Sequence, residues 1–199
     1  FSAGAWLGLR LGMSGQLSAE GGGFEPGRHD HLVLQMESVS LVFTDPRQFG
    51  SVRLHLGRDL PWWWSSLPPQ VLDPGFTQAH VREALRRRAR SSLKAILLDQ
   101  AWFPGIGNWM ADEILWRAAL HPARPGGSLE GAAFTAFYNK TREVARDALQ
   151  VIGTDWGEPP DTWLFNHRWK DGGTCPVAGE PLVRETIGGL TTCYCPARQ

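Results

Sequence analysis

A chain of 199 residues, 42% of them apolar, can hold one or two domains with real cores. Its formal net charge is zero, so no chain-wide field draws in nucleic acid or an anionic membrane. No apolar run is long enough to cross a bilayer, no signal peptide leads the chain, and its three cysteines lie near the carboxy terminus rather than in a secreted disulfide framework. A soluble intracellular protein is expected.

Phe1-Ser2-Ala3-Gly4-Ala5 opens the chain without an initiator Met, directly ahead of a strand-like run, and reads like the middle of a protein. An upstream part is therefore expected. Residues 5 to 56 read as strands and turns. Trp6 to Leu11, His31 to Met36 and Leu41 to Phe43 carry strand patterning, with a turn at Asp45-Pro46. Gly21-Gly22-Gly23 and Pro26-Gly27 mark a loop. The next stretch is rich in proline and tryptophan, includes Trp62-Trp63-Trp64, and reads as a linker over 59–75.

From Phe76 the pattern turns helical. Thr77 can cap a helix running to about Arg90, and Leu93, Ile96 and Leu97 share a face of the next. Asn108 is placed to open a helix lined by Met110, Ile114 and the stem of Arg117, ending at His121-Pro122. A long helix is expected from about Gly131 to Gly153, with Phe134, Phe137, Val144, Ala148 and Val151 near one stripe. In the tail, two short strands joined by Gly188-Gly189 predict a β-hairpin.

The most informative stretch is Gly105-Ile106-Gly107-Asn108. Glycines let a backbone turn tightly and approach a ligand, and a helix start with free N–H groups is an anion site. The same four residues also suit a plain turn between helices. Arg82, Arg86, Arg87, Arg88, Arg90 and Lys94, opposed only by Glu83, form a basic cluster that suits either a phosphate backbone or a solvated helix face.

Several motifs occur in order. They are Leu11-Gly12-Met13-Ser14-Gly15, His29-Asp30-His31, Thr44-Asp45-Pro46-Arg47-Gln48-Phe49-Gly50, Leu98-Asp99-Gln100, and Gly105-Ile106-Gly107-Asn108 followed by Ala111-Asp112-Glu113. A tail with Cys175-Pro176, Ile187-Gly188-Gly189 and Cys195-Pro196 completes the set. Together they resemble the formamidopyrimidine-DNA glycosylase / endonuclease VIII family of base-excision repair enzymes, over nearly the whole chain. The resemblance implies an α+β multidomain fold. Residues 1–58 would be the later part of a β-sandwich, 59–75 the linker, 76–156 a helix-two-turn-helix DNA-binding domain and 157–199 a β-hairpin finger.

It also implies roles. The partner is duplex DNA with a damaged base or abasic site, bound by a monomer, in the cytoplasm of a bacterium or the nucleus of a eukaryote. Met13, Arg47 and Phe49 match the residues that fill the gap left by a flipped-out base. Core packing is the competing role for Met13 and Phe49. Asn108 and Gly107 match the phosphate clamp, with His31 and Lys94 as further phosphate candidates. Glu113 matches an acidic residue near the active site, although its position also suits a helix-surface or capping role.

Two departures stand out. The family's zinc finger uses two Cys-x-x-Cys pairs, and the matching positions here read Cys175, Ala178, Cys195 and Arg198. A substitute site from Cys175, Cys193, Cys195 and His167 departs from the usual thiol spacing, so a zincless finger and no cofactor are expected. Leu190 stands where the finger's DNA-contacting arginine would be. The second departure concerns chemistry. Family catalysis uses an amino-terminal proline amine that forms a Schiff base with the sugar, a following glutamate and a lysine on a later strand. None is found in this sequence, so it assigns no catalytic nucleophile. By itself the chain is expected to hold DNA without cleaving it, within a poorly closed sandwich. The expected function is thus a DNA glycosylase with AP lyase activity on oxidised bases, seen without its nucleophile segment. The alternative is a non-enzymatic damaged-DNA or abasic-site binding protein.

Overall fold

A computed structural model describes residues 4–12, 14–153 and 157–199. The chain divides into two compact units at Ser66/Leu67, inside the segment read as a linker.

The first unit holds two small antiparallel sheets. β1 (Ala5–Arg10) pairs with β5 (Ser51–Leu56), and β2 (Gln16–Gly21), β3 (Asp30–Gln35) and β4 (Val39–Thr44) pair in the order β2-β4-β3. β4 is central because its run of apolar and β-branched residues suits burial on both faces, and Val42 and Phe43 are buried. β2 extends to Gly21, the first of three glycines read as a loop, through its ladder with β4. Met36, Leu54 and Leu56 are exposed at 56%, 63% and 77%, so much of this unit's apolar surface is uncovered. The tryptophan triplet forms a short helix α1 (Trp62–Ser65). Trp63 lies flat on Gly8, where a Cβ would come within 2.5 Å of the indole, while Trp62 and Trp64 face outward.

The second unit contains α2 (Gln78–Arg87), α3 (Leu93–Leu97), α4 (Asn108–Arg117) and α5 (Gly131–Val151), followed by a hairpin of β6 (Val183–Ile187) and β7 (Leu190–Tyr194). Thr77 caps α2 through His80 N–H, as expected, and Ser92 caps α3 through Ala95 N–H. α2 ends at Arg87, short of Arg90, because the chain turns from Arg88 to Ser91. The core gathers Phe76, Leu93, Leu97, Phe103, Ile114, Phe134 and Phe137, with Phe103 set edge-on to both Phe76 and Phe137. A second cluster joins Trp116 of α4 to Leu164, Cys175, Leu182, Cys193 and Cys195. The hairpin therefore packs on the helices as part of one unit, where the sequence suggested a separate module. Gly188 and Gly189 both take positive φ, as a two-residue hairpin turn of the favoured hand requires.

Candidate nucleic-acid interface

In the first unit the 45–50 turn is built around one carboxylate. Asp45 is buried and accepts from Ser14 Oγ at 2.8 Å and from Gly50 N–H at 2.7 Å. Those bonds, the Gly50 N–H first, hold its carboxyl below the usual range despite desolvation. The His29-Asp30-His31 motif braces the same turn. Asp45 N–H donates to His29 O, and His31 Nε2 lies 3.0 Å from Asp45 O. Anchored this way, the loop projects its tip outward. Gln48 sits at φ 57, a backbone state that non-glycine residues rarely adopt. Phe49 is 53% exposed, and the Arg47 guanidinium stacks 4.8 Å from its ring centre. Phe49 is thus not core. His31 is exposed and has its Nε2 occupied by the turn, so it acts on the loop that carries Arg47. Met13 lies outside the described residues.

In the second unit the Gly105–Asn108 loop is held by Gln100. Its Oε1 accepts from Gly105 N–H and its Nε2 donates to Ile106 O, both at 2.9 Å. Gly105 takes φ +82 and needs glycine for that reason. Gly107 does not. It has φ −95, open to any residue, and a Cβ there would meet no protein atom within 4 Å. Asn108 is the first helical residue of α4 rather than its cap. The cap position falls to Gly107, so no side chain satisfies the first-turn N–H groups. The Asn108 side chain reaches instead across 83 residues, donating from Nδ2 to Thr191 O at 3.0 Å, while its Oδ1 is buried without a partner.

Lys94 corrects one expectation. Its side chain is fully buried, with Nζ on Asp112 Oδ1 and, at 2.8 Å, on Asn108 O, so it is out of reach of a phosphate. Burial pushes its amine below the ordinary lysine range, and the Asp112 charge opposes that shift. Asp112 also accepts from Arg168 Nε and Nη2 at 3.0 and 2.6 Å and from Cys193 N–H at 3.0 Å. The sequence placed Asp112 in a motif but gave neither it nor Arg168 a role. The only local signal was an acidic pair inside a helix that is buried from Ala111 to Trp116.

Glu113 is fully buried too. It takes Arg117 Nε at 2.9 Å and Phe165 N–H at 3.1 Å, capping the short 3-10 turn at Leu164–His167. Burial raises its carboxyl above the usual range, and Arg117 partly offsets this. Capping is its structural role. The basic cluster is largely spoken for. Arg86 and Arg87 share Glu83, Arg88 pairs with Asp99, and Arg82 lies over the Phe134 ring. Two carboxylates against five exposed arginines leave a solvated face that is partly paired and net positive.

The finger's metal positions do not fit zinc. Cys175 Sγ accepts from Trp116 Nε1 at 3.3 Å and from Ala178 N–H at 3.4 Å, and shares a hydrogen bond with the Cys195 thiol, both cysteines being free. Arg198 donates from Nε to Trp116 O at 2.9 Å and stacks 5.0 Å from that indole. A guanidinium packed where the fourth thiolate should be repels a cation, and two thiols are too few for a closed tetrahedral site. His167 bonds Asp161 O. Among the described residues, no three His, Cys, Asp or Glu side chains gather to hold a metal ion.

A helix pair joined through two turns and carrying a docked hairpin defines a helix-two-turn-helix protein, and the comparisons agree. The family model for the formamidopyrimidine-DNA glycosylase H2TH domain matches residues 67–157, and that for the formamidopyrimidine-DNA glycosylase N-terminal domain matches residues 1–52. Formamidopyrimidine-DNA glycosylase of Roseiflexus sp. (strain RS-1) is 34% identical over 209 residues, covering 100% of this chain and 76% of the relative. The Arabidopsis thaliana protein of the same name is 33% identical over 175 residues, covering 87% of this chain and 44% of the relative. The crystal structure of MutM (Fpg) from Thermus thermophilus matches with TM-score 0.80 and 33% identity, over 98% of this chain and 76% of that one. A MutM structure in complex with carbocyclic 8-oxo-G containing DNA matches with TM-score 0.82 and 25% identity, over 99% of this chain and 75% of that one. The chain belongs to the formamidopyrimidine-DNA glycosylase family. No helix among the described residues is long and apolar enough to cross a membrane.

Proposed function

We propose that this chain is a base-excision repair DNA glycosylase with AP lyase activity, acting on oxidised bases in duplex DNA, and that its two loops at 45–50 and 105–108 belong to the part that grips the duplex. Family membership supports the chemistry, and the observation that carries the grip is Gly107. Neither its backbone angles nor its neighbours demand glycine, yet it stands in open space before an uncapped helix start. That geometry suits a phosphate group brought close to free N–H donors. Asn108 keeps a second amide N–H to offer it, because only one is accounted for by Thr191 O. In the other unit, the stacked Arg47–Phe49 pair is an exposed planar wedge suited to the gap that a flipped-out base leaves. The expected third member is Met13. The finger works without zinc, held by the Trp116–Cys175–Arg198 packing. Such an enzyme acts where genomic DNA lies, in a bacterial cytoplasm or a eukaryotic nucleus.

AP lyase chemistry needs a free amine at the sugar. Lys94 is buried against Asp112 and Lys140 is tied to Glu143, so neither is a free amine. Lys170 is exposed and lacks the desolvated pocket that activates a lysine nucleophile. This favours assigning the nucleophile to the family's amino-terminal proline. The same observation keeps open a second reading, a damaged-DNA binder without chemistry. Borohydride reduction of the full-length protein on abasic-site duplex separates them. A covalent adduct supports the enzyme, and tight binding with no adduct leaves only the binder. The grip itself is tested by Gly107→Ser. A serine there caps α4 and holds or raises thermal stability while filling the phosphate site, so duplex affinity falls. Undiminished affinity refutes the clamp.

A further inference from the structure

The Asn108 amide is aimed by groups that lie far from it in sequence. Its backbone carbonyl is held by Lys94 Nζ, and its side chain is bonded to Thr191 O on β7. Lys94 ends on Asp112 Oδ1, and the β7 backbone two residues after Thr191 ends on Asp112 Oδ2 through Cys193 N–H. Both partners of the Asn108–Thr191 bond therefore trace back to one carboxylate. Arg168 closes the cluster by occupying the rest of Oδ2, and every side chain in it is 5% exposed or less. The hairpin tip is seated by the same group of elements, since a Cβ on Gly188 would come within 3.1 Å of Ala95 Cβ, one residue after Lys94.

We propose that the buried Lys94–Asp112–Arg168 cluster positions the DNA-backbone clamp, with Asp112 setting the direction of the free Asn108 N–H by fixing the start of α4 and strand β7 at once. The cluster registers the finger against the helices through Cys193 N–H and Arg168. This rests on the reading of Asn108 as a phosphate clamp. It makes Lys94, Asp112 and Arg168 positioning residues that never meet the DNA.

Charge balance supplies a variant that separates aim from stability. Lys94, Asp112 and Arg168 together bury one positive charge in excess, so Lys94→Met leaves a balanced Asp112–Arg168 pair in an apolar site. Lys94→Met is expected to melt close to the parent protein. Its affinity for a duplex carrying one tetrahydrofuran abasic-site analogue should nonetheless fall about tenfold, as for Asn108→Ala, the loss of one hydrogen bond to a charged group. The double variant should lose no more than Asn108→Ala alone. The slope of log affinity against log salt should stay unchanged, because no cation is withdrawn from the phosphates. In the free protein, the Asn108 side-chain amide resonances should shift in Lys94→Met and again in Asp112→Asn. Parent-like binding by Lys94→Met beside weak binding by Asn108→Ala overturns the positioning role and leaves the clamp standing. Additive losses, or a slope shallower by about one charge, overturn it in favour of a direct Lys94–phosphate contact. An Asn108→Ala variant that binds like the parent removes the clamp and this inference with it.

Discussion

The two loops proposed to grip DNA are built on different plans. The 45–50 turn is anchored within its own strand unit, with Ser14, His29 and His31 holding Asp45 from 14 to 31 residues away. One carboxylate, Asp45, braces it from within, Gly50 is five residues away, and its working side chains Arg47 and Phe49 are exposed. The 105–108 loop presents backbone N–H groups; Gln100 holds its turn locally, Lys94 and Thr191 fix Asn108 from 14 and 83 residues away, and Arg168 and Cys193 hold Asp112 one turn along the helix. A loop that offers side chains needs only a firm base. One that offers backbone donors needs its whole helix placed to a fraction of an ångström, which takes long-range, buried anchors.

That contrast is open to attack. The largest effect is expected from Asp112→Asn, which leaves Lys94 and Arg168 buried without their counter-charge and should cost about 3–5 kcal/mol in urea unfolding. A loss within experimental error would show that the second loop is not anchored as described. Next comes Phe49→Ala combined with Arg47→Ala. Removing the stacked pair should weaken binding to abasic-site duplex by about 1–3 kcal/mol with little change in melting temperature, because the tip is exposed. Equal losses on intact and abasic duplex would refute the wedge.

Asp45→Ala should lower abasic-site affinity while leaving the helical unit's unfolding untouched, since its partners Ser14, His31 and Gly50 all belong to the first unit. Its carboxyl is depressed in the fold, so the support it gives is present above pH 3.8 and fades as pH falls through the lower folded value. The smallest effect is expected from Glu113→Gln, which keeps an acceptor for Phe165 N–H. Glu113 has a raised folded pKa, so its contribution is fully present below 4.5 and is lost as pH rises through the folded value. The stability gap between variant and parent should therefore be near zero below pH 4.5 and should move in the variant's favour toward neutrality. A gap that does not change with pH would mean that Arg117 fully compensates the burial.

Legibility followed the same division. Short-range features showed in the sequence, including the Thr77 cap, the Gly188-Gly189 hairpin turn and the long α5 helix. Lys94 was misjudged, because it looks like a surface group in sequence and only Asp112 and the Asn108 carbonyl make its burial tolerable. Glu113 is likewise buried, against Arg117 one turn along α4 and Phe165 N–H 52 residues away. The basic stretch from Arg82 to Arg90 was also ambiguous in sequence, and Glu83 and Asp99 pair with Arg86, Arg87 and Arg88 of it.

The sequence by itself determined the helices with their caps, the hairpin, the degenerate metal positions and the family, because those depend on residues a few places apart or on motifs in a fixed order. Only the tertiary structure decided which charged groups are buried. It also showed that the finger rests on the helices through Trp116, Arg198 and Asp112, and that Gly107 faces open space. Those outcomes turn on desolvation and on partners up to 83 residues apart, and no local pattern encodes either.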